Sequence, residues 1–81
     1  MEPSLSRMDL NKRLADTVRA RLASAGVSIR GAADATEIPL VTLHRRLSGR
    51  SNFSTTELVA IAELLNTTAS ELVAAAEEEV A

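Results

Sequence analysis

Leu10, Leu14, Val18 and Leu22 recur every fourth residue, with polar and charged side chains filling most positions between them. That spacing lays one apolar stripe along a helix and predicts α-helix from about Leu10 to Ala25. Asp9 stands where a helix N-cap is expected, and Gly26 supplies a left-handed stop. A second helix, from Ser28 to about Ala35, opens on a capping serine and is rich in alanine, so another helix can approach it closely. A third runs from about Pro39 to Ser48, with proline in the first turn and Gly49 just past the end. Its Leu43 and Leu47 lie four apart and face the core. Ser54-Thr55-Thr56-Glu57 has capping-box spacing and starts a fourth helix carrying Leu58, Ile61, Leu64 and Leu65, with Asn66 at its end. Ser70 caps a fifth, in which Leu72, Val73 and an alanine run precede three glutamates. The chain has one aromatic residue, no alternating β-branched run and no Asn-Gly turn, so it carries almost no strand signal. The expected fold is all-α, a compact bundle of five short helices.

At 81 residues the chain is one domain with a modest core. Its expected division is a flexible arm over 1–8, a folded domain over 9–76 and an acidic tail over 77–81. The absence of Cys excludes disulfides, thiolate zinc sites and cysteine nucleophiles, and suits a reducing compartment. No signal-peptide pattern opens the sequence, and no apolar stretch approaches the length of a membrane span. The expected location is therefore the cytoplasm, without a membrane partner.

Charge changes the picture more than composition does. All nine basic residues lie at or before Arg50, with five acids among them, so that part carries 9 − 5 = +4. From Ser51 onward there are six acids and no base, giving −6. A basic half joined to an acidic one suggests a polyanion-binding face and an opposite pole turned to solvent. Catalysis and metal binding find no comparable support. His44 has neither a Cys nor a second His to share a metal, and no nucleophile or orienting carboxylate lies near it in sequence. Thr42 and Ser48 read as helix-end or phosphate-facing hydroxyls. No enzyme activity, cofactor, metal or small-molecule ligand is expected.

Helix 2, the turn Thr36-Glu37-Ile38 and helix 3 have the lengths of a helix-turn-helix. The span VSIRGAADATEIPLVTLHRRLSG resembles the Cro/lambda-repressor type, also called XRE-like. The resemblance continues through RSNFS and helix 4 to ASELV at the start of helix 5. It places Ala33 at the small position where the two helices cross, Ile38 and Leu43 in the core, Gly49 at the end of the recognition helix and Leu72 as an apolar anchor. Several positions depart from the family. Ile29 stands where Gln is usual, Glu37 replaces a turn glycine, and Arg46 occupies a commonly apolar position. A buried Arg–Glu pair that the family often carries between helices 1 and 3 is replaced at both positions, by Leu22 and Leu47. Joint replacement is physically tolerable, whereas losing one partner would strand a buried charge. The two leucines should therefore meet in the core.

The resemblance implies duplex DNA as the partner, with helix 3 in the major groove. Leu40, Val41, His44 and Arg45 would then face base edges: Arg45 toward guanine O6 and N7, His44 toward an acceptor, and Leu40 with Val41 toward thymine methyls. The alternative for these four is a solvated basic face with two stray aliphatic residues. Ser28 and the open N–H groups at the start of helix 2 would hold a phosphate. Arg30, Ser48, Arg50, Ser51 and Asn52 flank the recognition helix and would grip the backbones. Arg46 is open between a structural salt bridge and DNA, and Phe53 belongs to the core. Family members act as dimers on two-fold operators with half-sites about 34 Å apart. Leu72, Val73, Ala76 and Val80 form an apolar strip on helix 5 that would serve dimerisation or close the monomer's core. The expected function is that of a phage Cro or immunity-repressor-like regulator acting by operator occlusion in a bacterial or phage-infected host cell. The alternative is a protein-interaction module on the same scaffold, an antitoxin or an antagonist of another regulator.

Overall fold

The structure is a computed structural model, and it describes residues 7–78. Five helices follow one another: α1 (Arg7–Ser24), α2 (Ile29–Thr36), α3 (Leu40–Leu47), α4 (Thr55–Leu64) and α5 (Ala69–Glu78). No strand occurs among the described residues. Most of the described helix boundaries have a local cause. Ser28 accepts a hydrogen bond from the Gly31 N–H at 2.9 Å and caps α2. Ser54 and Glu57 exchange reciprocal bonds as a capping box at the start of α4. At the C-terminal ends, α1, α3 and α4 close in the same way. Val27 N–H reaches Leu22 O while Gly26 N–H reaches Ala23 O; Arg50 and Gly49 do this on Arg45 and Arg46, and Thr67 and Asn66 on Ala62 and Glu63. These are Schellman ends, and they need a left-handed residue. Gly26, Gly49 and Asn66 provide it, with φ of 73°, 81° and 60°.

Three starts differ from expectation. The first helix begins at Arg7, so Asp9 lies inside its first turn and does not cap it. This also brings the last two residues of the expected 1–8 arm into helix, while 1–6 lie outside the described residues. Pro39 sits at the N-cap of α3, one position before the helix proper. Thr68, not Ser70, caps α5: its hydroxyl accepts from the Glu71 N–H at 3.1 Å. Both residues have capping chemistry, and the helix starts at the earlier one. The acidic stretch 77–81 begins within α5, and its last three residues lie outside the described ones.

The core gathers the inward residues of all five helices. Leu14, Val18, Leu22, Ala32, Ala33, Ile38, Leu43, Leu47, Leu58, Ile61, Ala62, Leu72 and Ala76 form one buried cluster. Leu22 and Leu47 are each 2% exposed within it, as joint replacement of an ion pair by apolar side chains requires. Helix α1 packs on α5 and α3, α2 on α3 and α4, and α4 on α5. The alanines of α2 (Ala32 and Ala33) are buried where small side chains permit close approach. No single described helix is long and apolar enough to cross a membrane.

Candidate nucleic-acid interface

Helix α3 is amphipathic because Leu43 and Leu47 are drawn into the core on one side. The opposite side carries Val41, His44 and Arg45, all exposed. Val41 is 71% exposed, the more exposed of the two large hydrophobic side chains that stand exposed among the described residues, the other being Val59. Leu40 behaves differently from its neighbour: it is half-buried and packs against the core, so little of it is left to meet a base. His44, Arg45, Ser48 and Arg50 line a single surface recess at the end of the helix.

The two adjacent arginines of α3 have separate fates. Arg46 turns toward α4, where its Nε donates to Glu57 Oε1 at 2.8 Å and its Nη2 to Oε2 at 3.2 Å. Its Nη1 donates to Ser51 Oγ at 2.6 Å. A planar guanidinium meeting a carboxylate in this forked way is the stronger form of ion pair. The side chain is half-buried and already satisfied, which resolves the Arg46 alternative in favour of structure. The hydrogen bonds from Arg46 hold the Glu57 carboxyl below the usual carboxylate range, against a smaller opposing effect of burial. The same bonds raise the Arg46 pKa. Arg45, by contrast, is exposed and pairs with no described residue.

The phosphate candidates divide similarly. Arg30, Arg50 and Asn52 are exposed. Neither Arg30 nor Arg50 has an ion pair with a described residue. Ser28 accepts from Gly31 N–H, and its own hydroxyl proton remains available to an anion at the start of α2. Ser48 spends its proton on Arg45 O at 3.0 Å, and Ser51 is half-buried with its oxygen on Arg46. These two hydroxyls support the local fold in this structure. Ile29 is half-buried against the core, so the usual glutamine position here contributes packing instead of a polar contact.

The apolar strip of α5 divides between buried and partly exposed positions. Leu72 and Ala76 are 0% exposed within the single chain and leave no surface for a second copy, because α1 and α4 already cover that side of α5. Val73 is half-buried and packs against the same core, and Val80 lies outside the described residues. Phe53 is half-buried against the core as expected. The pairing of Arg46 with Glu57 escaped the sequence reading, which saw only the capping role of Glu57. No group of His, Asp or Glu that could hold a metal ion occurs among the described residues.

Comparison with known proteins agrees with this geometry. A family model described as "Helix-turn-helix domain" matches residues 13–75. No curated protein matches the chain. Two crystal structures of the clp gene regulator ClgR from Corynebacterium glutamicum are similar in fold. One is 23% identical with a TM-score of 0.81, covering 98% of this chain and 79% of that one. The other is 24% identical with a TM-score of 0.80, covering 99% and 97%.

Proposed function

This chain belongs to the helix-turn-helix domain family, of the Cro/lambda-repressor (XRE-like) type, and we propose that it reads a specific operator through α3 and regulates transcription by occluding it. The coarser role, a DNA-binding transcription regulator, goes with the family. The reading of a particular sequence rests on one observation: Arg45 is exposed beside exposed Val41 and His44 and pairs with no described residue, while the adjacent Arg46 is consumed by Glu57. A guanidinium with no partner among the described residues, one turn into the helix, suits paired hydrogen bonds with guanine O6 and N7. Val41 beside it suits a thymine methyl, which would offset its exposure. Arg30, Arg50, Asn52 and the start of α2 at Ser28 would fix register through phosphates. A site of this size on one chain binds weakly, so a pair of copies on a two-fold operator is the expected assembly. A phage or prophage regulator, working in the cytoplasm, is the setting the resemblance favours.

Selection from random duplexes, followed by titrations of the selected and a scrambled duplex, tests this reading. Arg45→Ala should cost about 1–3 kcal/mol on the selected duplex and relax the preference at one base pair. Arg50→Ala should weaken both duplexes nearly equally and lower the salt slope by about one. Equal losses from both variants on both duplexes would reduce α3 to a basic clamp. If no duplex is enriched, the exposed Val41 face is a protein contact and the operator reading fails.

A further inference from the structure

Helix α1 lies outside the two helices that define the motif, yet it borders the recognition helix's exit. Gly49 ends α3 in the left-handed conformation, and a side chain there would stand 3.7 Å from Lys12 Cα. The loop backbone therefore rests directly on the second turn of α1. That contact brings Lys12 beside Arg50, and Asn11 and Asn52 complete an open recess of about 360 Å³ together with Asp9 and Gly49. Lys12, Arg50 and Asn52 are exposed. Neither cation forms an ion pair with a described residue, although carboxylates lie close by: Asp9 borders this recess, and Asp9 and Asp16 border a second one with Lys12. Asp9 is engaged in an interaction of its own.

The donor set is chemically specific. A lysine ammonium is a compact charge, an arginine guanidinium a planar fork, and each asparagine amide offers two N–H donors. Together they suit a small oxyanion that accepts from several directions. From this we infer that Asn11 and Lys12 of α1 join Arg50 and Asn52 in one clamp on a backbone phosphate of the bound duplex. The inference rests on the DNA-binding reading above and extends the interface to a helix outside the motif. Its consequence is mechanical: a phosphate held between α1 and the loop after Gly49 fixes the depth at which α3 enters the groove.

The test is a salt titration of wild type, Lys12→Gln, Lys12→Arg, Arg50→Ala and the double variant Lys12→Gln/Arg50→Ala. Each is measured on the selected and the scrambled duplex. Lys12→Gln should weaken both duplexes by a similar factor, on the order of fivefold near physiological salt, and lower the salt slope by up to about one. Lys12→Arg should restore binding. The double variant should lower the slope by about one in total, because the two cations serve a single phosphate. A fall of about two would mean two separate phosphates and would overturn the clamp. Unchanged binding by Lys12→Gln, beside a clear loss in Arg50→Ala, would overturn it while leaving the DNA-binding reading intact. If wild type binds neither duplex, the earlier reading fails and this one with it. Circular dichroism of each variant verifies the fold, and since Lys12 is exposed none should melt early.

Discussion

Arg45 and Arg46 are neighbours with the same side chain, and their difference shows what a residue's position on a helix decides. A step of 100° turns Arg46 toward α4, where Glu57 and Ser51 satisfy it, and leaves Arg45 in solvent. Glu57 serves twice, because the oxygen that receives Arg46 Nε also accepts the Ser54 N–H of the α4 cap. Its carboxyl is held below the ordinary range, so the folded state binds protons less readily than the unfolded chain. The resulting stability is fully present above the unfolded carboxylate pKa and is lost as pH falls through the folded one. Glu57→Gln keeps a capping side chain but no charge. It should lower the melting temperature at neutral pH and flatten the acid limb of stability against pH, as followed by thermal melts. Thr17 offers the opposite case. Its hydroxyl is buried with no hydrogen-bond partner among the described residues, a cost the sequence does not reveal. Thr17→Val removes that hydroxyl at nearly constant shape and should leave stability unchanged or raise it by about 1 kcal/mol in urea unfolding.

At the scale of elements, the chain was legible wherever a helix end has a local chemical cause. Ser28, Ser54, Gly26, Gly49 and Asn66 all stand where the sequence reading put them, because caps and left-handed stops are decided within a few residues. Thr68 and Ser70 could not be separated, since both have capping hydroxyls two residues apart. The Arg46–Glu57 pair and the Lys12–Gly49 approach were not legible, because each joins segments that only tertiary packing brings together. Leu72 and Ala76 were ambiguous for a related reason: an apolar stripe looks the same whether it meets another helix of its own chain or a second copy. The turn between α2 and α3 makes a local cost measurable. Glu37 adopts φ 63°, a left-handed conformation in which a Cβ is unfavourable. Glu37→Gly should raise stability by about 0.5–1 kcal/mol, the relief of strain exceeding the added chain entropy. Gly26→Ala should do the reverse, losing about 1 kcal/mol although no described residue beyond its chain neighbours comes within 4 Å of the new methyl group, since only conformation is at stake. Chemical denaturation of the two variants side by side checks the sign of each.

Across the whole molecule, charge is divided where the net value of −2 would conceal it: +4 through Arg50 and −6 beyond. The acids of α5 are poorly placed for helix stability. Glu77 and Glu78 stand exposed in the last described turn, at the end where the backbone dipole favours cations. Their recesses are also distinct: Glu77 lines one with Phe53 and Val73, whereas Arg45 and Arg50 line another with His44 and Ser48. A placement that costs stability is intelligible if it repels DNA from the wrong pole and so orients the encounter. The double variant Glu77→Gln/Glu78→Gln separates these effects. Each substitution should stabilise the fold by about 0.3–1 kcal/mol in thermal or urea unfolding, less as salt is added. The same variant should bind scrambled duplex more tightly at low salt, narrowing the gap between selected and scrambled DNA. That second change should fade as ionic strength brings the Debye length to about 8 Å, because the acids act at a distance and not by contact. A stabilised fold with unchanged non-specific binding at every salt concentration would mean that the acidic helix has no part in orienting DNA.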